Sequence, residues 1–174
     1  MATEVITRLK KVSVSKTLIA DADYAANDVL SENKTTGTSW TFSGIANSNG
    51  RGGYIVKAHI IFSKSGGITA ITPRCCLFLF SATPTSVLND NAANTGVLDA
   101  DKANYIGRIE FPALTSYGGT PTAVVTPSTV GNLPLAFQCA TAATQIYGIL
   151  ITLDAITAET ASTIVTINLI AEQD

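Results

Sequence analysis

The chain has 174 residues, of which 46% are hydrophobic and only 14% charged, with a formal net charge of −2. That length fits one domain able to bury roughly 70% of its unfolded surface, and the composition excludes a disordered chain. No basic run occurs, which argues against direct nucleic-acid binding, and no apolar run approaches the ~20 residues of a membrane-spanning helix.

Residues 1–20 read as an N-terminal strand or arm carrying Arg8, Lys10, Lys11 and Lys16 along a positively charged edge, and residues 21–174 as a single β-sandwich domain. The segment beginning Met1-Ala2-Thr3-Glu4 lacks the charged, apolar and cleavage regions of a secretory signal, so synthesis in the cytoplasm is expected. Asn33-Lys34-Thr35 then matches a glycosylation acceptor by chance. Asp28–Ser31 reads as a short strand, and Ser39–Ser43 alternates with Trp40 and Phe42 on one face.

The turn cluster from Asn47 to Gly53 leads into the clearest strand, with Tyr54, Val56, Ala58, Ile60 and Phe62 expected on one face and Lys57, His59 and Ser63 on the other. Gly66-Gly67 ends it. Arg74–Ala82 follows, and its Cys75-Cys76-Leu77-Phe78-Leu79-Phe80 core is apolar at every position. A strand with one wet face alternates, so this run, like Ile149-Leu150-Ile151, calls for cover on both faces. With almost no helical pattern in the chain, that cover is expected from another sheet or another subunit.

Residues 84–104 form the longest stretch without strand character, Asn/Asp-rich with room for one short helical turn, and are expected to present a contact surface or an exposed cap. Tyr105–Phe111, Ala123–Thr126, Leu135–Cys139, Tyr147–Asp154 and Thr163–Ala171 supply the remaining strands, with Val165, Ile167 and Leu169 sharing a face. About eight to ten short strands without an amphipathic helix predict an all-β fold, an antiparallel β-sandwich of jelly-roll type.

Chemistry is harder to find. His59 is the single histidine and sits between Ala58 and Ile60 on a regular strand, so it reads as a sheet-face residue rather than a catalytic base. Asp21-Ala22-Asp23 and Asp99-Ala100-Asp101 could offer oxygens to a cation, but neither continues into calcium-loop spacing, and turn or helix-capping roles fit them better. Cys75, Cys76 and Cys139 form no zinc pattern and no disulfide framework; Cys75 and Cys76 must point to opposite faces, as buried small hydrophobes. Gly50-Arg51-Gly52-Gly53 is a turn rather than a phosphate loop. No catalytic, cofactor or metal residue is assigned, and no enzyme activity is expected. Tyr24, Tyr105 and Tyr117 lie near strand ends or loops and could offer a sugar an aromatic platform.

Several segments together resemble small virion structural proteins of tailed bacteriophages, of the head decoration or auxiliary capsid type: Gly37–Phe42, Ile71–Arg74, Pro84–Asn91, Gly131–Leu135 and Ile170–Asp174. The resemblance covers most of the chain and carries over no functional residue. It implies a homo-oligomer, a trimer by analogy, bound to a major capsid protein on the virion surface, with no membrane or nucleic-acid partner. The alternative is a carbohydrate-binding or host-recognition module of a tail or fibre.

Overall fold

The computed structural model describes residues 8–19, 23–63, 71–127, 132–157 and 163–173. Gly66-Gly67 and Asp21-Ala22 lie outside them. Nine strands stand among the described residues: β1 (Arg8–Thr17), β2 (Trp40–Phe42), β3 (Gly52–Ser63), β4 (Cys75–Phe80), β5 (Tyr105–Phe111), β6 (Thr122–Val125), β7 (Leu135–Gln138), β8 (Ile146–Thr152) and β9 (Ile164–Gln173). A 3-10 turn over Asp99–Asn104 precedes β5.

Two antiparallel sheets result. One runs β1-β9-β3-β6, with β7 also paired to β3, and the other runs β2-β8-β4-β5. The pairing is nested along the chain: first strand with last, β2 with β8, β3 with the β6/β7 pair, β4 with β5. β6 pairs with Ala58–Ile61 and β7 with Gly52–Ile55 on the same edge of β3, so together they act as one interrupted strand. A long hairpin of four strand pairs wound into two sheets is a jelly roll, and the predicted fold class stands.

The sequence dictates the core directly. Val165, Ile167, Leu169 and Ala171 of β9 alternate inward, as do Trp40 and Phe42 of β2. They meet Leu77 and Leu79 of β4 and Ile60 and Phe62 of β3 between the sheets. The Trp40 indole N–H keeps a partner there, donating to the Leu30 carbonyl at 3.0 Å.

Three expectations change. In β3, Ile55 pairs with Ala171 and Lys57 with Ile170, so Val56 is an extra residue, a β-bulge. The bulge switches the parity of the strand: Ile55, Ala58, Ile60 and Phe62 are buried, while Tyr54 turns to the outer face and is 49% exposed. Asp28–Ser31 forms no strand. Asp28 and Val29 make isolated bridges to Ala93 and Ile151 instead.

The third change concerns the second face of β4. Cys75, Leu77 and Leu79 enter the core between the sheets, whereas Cys76 and Phe80 join Val29, Ile149 and Ile151 in a separate buried cluster on the outer face. Within the chain its cover comes from loops and not from a further sheet. Val29 and, from the long loop, Leu88 and Val97 roof it over, so the molecule covers its own β4 twice.

Candidate functional site

The roof is held by polar groups, and these absorb most of the ionisable residues in the loops. Asp101 is buried, and its carboxylate gathers the 84–104 loop. The Thr85 amide donates to Oδ1 at 2.8 Å and the Thr85 hydroxyl at 3.0 Å, while the Ser86 amide donates to Oδ2 at 3.1 Å. The Ser86 hydroxyl lies 2.9 Å from Oδ2 and 2.8 Å from the Gly96 carbonyl, with one proton between them. Burial alone would raise the Asp101 pKa, but these donors hold it below the usual carboxylate range. Asp101 thus spends its carboxylate on the loop's own donors and is the knot of the loop. Asp99, its partner in the sequence motif, is exposed and ion-paired with Lys102 at 2.6 Å.

Asp90 does the same work for the 24–31 segment. It accepts from the Tyr24 hydroxyl at 2.9 Å and from the Ser31 amide at 2.8 Å, and burial raises its pKa despite these bonds. Tyr24 is consequently 1% exposed and offers no platform to a sugar. Asn33, the acceptor-pattern residue, uses its side-chain oxygen to take the Thr35 and Thr36 amides, each at 2.9 Å.

Lys16 points inward from β1 and is not part of an exposed positive edge. Its ammonium lies 2.5 Å from Glu32 Oε2, 3.0 Å from the Thr38 hydroxyl and 5.5 Å from the centre of the Trp40 ring. Ser31 and Thr38 also donate to Glu32. Burial would raise the Glu32 pKa, yet the bonds from Lys16, Thr38 and Ser31 outweigh it and hold the carboxyl at about 2. β1 is a sheet edge, and lysines pointing inward along an edge are a known device against edge-to-edge pairing.

The outer faces of the two sheets differ. On the β1-β9-β3-β6 sheet the register puts Leu9, Tyr54, Val124 and Ile164 on the same outward side, and these are 65%, 49%, 42% and 39% exposed. Lys11, Ser13, Lys57 and Thr166 stand between them. His59 is on this face, beside Asn168 of β9 and Val124 of β6. Its Nε2 is buried without a hydrogen-bond partner, and burial, together with Lys57 and Lys11, lowers its pKa. Among the described residues no nucleophile or carboxylate is hydrogen-bonded to that nitrogen.

The other outer face is roofed except toward β5, where the roof stops short and leaves a cleft of ≈ 480 Å³. The β4-β5 and β4-β8 registers build its floor in rows, Ile151–Cys76–Glu110 and Ile149–Phe78–Arg108. Arg108 Nε donates to Glu110 Oε1 at 2.8 Å across the open side. Asn27, Asn94, Thr95, Gly96 and Leu153 complete the lining, with the Asn94 amide donating to the Asn27 carbonyl at 3.1 Å. A second cleft of equal volume lies between the start of β5 and β7, but no charged side chain lines it.

The sequence reading singled out the 84–104 loop, which supplies Asn94, Thr95 and Gly96, but not Asn27, Arg108, Glu110 or Leu153. Arg108 and Glu110 are visible as an i, i+2 pair, but the loop residues of the lining stand from 12 (Gly96) to 83 (Asn27) positions away along the chain and are brought to the pair by the fold. Tyr105 is half-buried, its ring centroid 5.5 Å from Phe80 and 6.5 Å from Phe78, and Tyr117 stands alone at 91% exposure. The three thiols are free and buried, without disulfides. Among the described residues no group of three His, Cys, Asp or Glu side chains could hold a metal, and no helix is long and apolar enough to cross a membrane.

Neither a family model nor a curated protein matches this sequence. Solved structures to which the chain is similar include that of Mud Crab Dicistrovirus, at 12% identity over 96% of this chain and 68% of that one, with a TM-score of 0.29. Sacbrood virus of honeybee is similar at 12% identity over 96% and 70%, with a TM-score of 0.27. A marine algae virus of the order Picornavirales gives 12% identity over 97% and 69%, with a TM-score of 0.24. None of the three is a tailed bacteriophage.

Proposed function

We propose that this protein is a structural component of a virus particle, a capsid decoration protein that binds the assembled head of a tailed bacteriophage and braces it as a symmetric oligomer. The observation that carries the reading is the contrast between the outer faces of the jelly roll. One is roofed by the chain's own loops except at the cleft beside β5, and the other is left bare with Leu9, Tyr54, Val124 and Ile164 interleaved among lysine, serine and threonine. Apolar residues dispersed in a polar, weakly charged sheet match the composition of non-obligate protein interfaces. The partners are further copies of the chain, three by analogy with other sandwich-fold decoration proteins, and the major capsid protein.

The role is non-enzymatic. Stabilisation would come from area, many shallow contacts multiplied by symmetry, with no reactive side chain. Synthesis in the host cytoplasm and final residence on the capsid surface follow from that role. Removing residues 2–16 is a poor test of attachment, because Arg8–Thr17 pairs along the length of β9 and its loss would unfold the sheet. The decisive measurement is quantitative mass spectrometry of purified virions. A copy number comparable to that of the major capsid protein is expected. A far lower ratio would move the protein to the tail or portal, and its absence would end the virion reading.

A further inference from the structure

The cleft beside β5 leaves Phe78 and Leu153 half-exposed between charged and amide side chains, where a flush surface would hide both. Three features define what would fill it. Its floor is apolar and includes a ring, Phe78, packed against Tyr105. Its open side carries Arg108 and Glu110 paired to each other, an arrangement with no net charge. That pair uses Arg108 Nε and one carboxylate oxygen, leaving the terminal guanidinium nitrogens as donors and the second oxygen as an acceptor for a ligand. The walls add amides and a hydroxyl from Asn27, Asn94 and Thr95, and the Asn94 side-chain oxygen is buried without a hydrogen-bond partner.

An anion or a cation entering here would have to compete with one member of the Arg108–Glu110 pair for the other. A neutral ligand carrying adjacent hydroxyls would not, since each hydroxyl both donates and accepts and can bridge guanidinium to carboxylate. An apolar ring face beneath, planar polar groups at the side and a cavity of small-ligand size are together the chemistry of sugar recognition. We infer that the cleft over Cys76 and Phe78 binds a neutral sugar, its ring laid on Phe78 and its neighbouring hydroxyls held by Arg108 and Glu110. Tyr24 and Tyr117 take no part. The site is independent of the capsid reading, because nothing in it involves the bare outer face.

The test is a titration of the full ¹⁵N-labelled chain, followed by amide NMR, with the methyl glycosides of glucose, galactose, mannose and N-acetylglucosamine. Acetate and methylammonium serve as charged controls. At least one glycoside should give saturating shifts at Cys76, Phe78, Gly96, Arg108 and Glu110, with Kd on the order of 1 mM, as befits a single small ligand. Arg108→Gln and Glu110→Gln should each weaken it tenfold or more, and Tyr117→Ala should leave it unchanged. Gly96→Asn guards against misfolding of those variants. Gly96 has φ +69°, which asparagine tolerates, and open space where a side chain would stand, so the substitution crowds the mouth without touching the core. Its natively folded product should lose binding. No saturation by any glycoside, shifts centred elsewhere, tighter saturation by a charged control, or full binding by folded Gly96→Asn would each overturn the inference.

Discussion

Cys75 and Cys76 are neighbours in sequence but belong to different cores. Cys75 lies between the sheets with Leu77 and Leu79, and Cys76 lies on the outer face with Val29, Phe80 and Ile151, where the loop roof meets the cleft. Burial pushes both thiols up, Cys76 to about 12 and Cys75 further. Because thiolate is the reactive form, neither should react with a disulfide reagent at neutral pH while the protein is native. The two differ in what must open. A roof of loops over a sheet can lift locally, whereas the space between the sheets opens only on global unfolding. Timed labelling read by peptide mass spectrometry should find Cys76 modified well before Cys75. Equal rates would mean that the roof opens only with the whole domain.

What locks that roof is Asp101, and its removal should be costly. Asp101→Ala leaves the part-buried amide of Thr85 and the buried amide of Ser86 without their acceptor, which by the usual penalty for unmade hydrogen bonds should lower stability by about 2–3 kcal/mol. Asp101→Asn keeps the shape but points an amide donor at one set of donors, so it should recover only part of the loss. Urea denaturation gives both numbers. In the same variants Cys76 labelling should accelerate more than Cys75 labelling, and a uniform acceleration would count against a local role for the carboxylate.

The unbroken apolarity of β4 made its double burial legible in the sequence, and the strict alternation of Val165, Ile167 and Leu169 made β9 legible too. The source of the second cover was not legible, because Val29-Leu30, Val87-Leu88 and Val97-Leu98 are lone apolar pairs in polar loops and have no period to detect. The parity of β3 failed for a related reason. A bulge at Val56 changes which residues face inward without changing composition, and Tyr54-Ile55-Val56 reads equally well in either phase. Trp40 in phase with Phe42 was read as core and lies there, while Tyr24 was drawn inward by Asp90, a partner 66 positions away. The cleft was hidden for the same reason. Strand register sets its floor, but long-range loop placement sets its walls.

Gly53 marks a place where backbone approaches backbone. A Cβ built there would stand 2.0 Å from the Glu172 carbonyl oxygen on β9, a distance no flexible side chain can relieve. Gly53→Ala should therefore push β3 and β9 apart at the end of their ladder and cost about 2–3 kcal/mol, in the range for overpacking at an inflexible site. Gly119→Ala is the control, since nothing lies within 4 Å of its Cβ position. Thermal denaturation should separate the two by several degrees, and indistinguishable midpoints would show that the β3–β9 ladder yields more easily than its geometry implies.

The ion pair between Lys16 and Glu32 ties β1 to the loop before β2, and it sets a direction for acid sensitivity. Glu32 falls from the ordinary 4.5 to about 2 in the folded protein, so between those values the unfolded chain binds the proton and the folded chain does not. Stability from this carboxylate is thus fully present above about pH 5 and is lost as pH falls toward 2. Asp101 and Asp154, both held below the ordinary range, act in the same sense, and Asp90, raised by burial, acts in the opposite one. Glu32→Gln should lower stability at pH 7, where Lys16 loses its counter-charge beside Trp40, and should flatten the decline between pH 5 and 2. At pH 2.5 the variant and the parent should differ much less than at pH 7. Urea midpoints measured across that range would show the convergence, and parallel curves at constant separation would mean that Glu32 keeps its ordinary pKa and that Lys16 is held by packing alone.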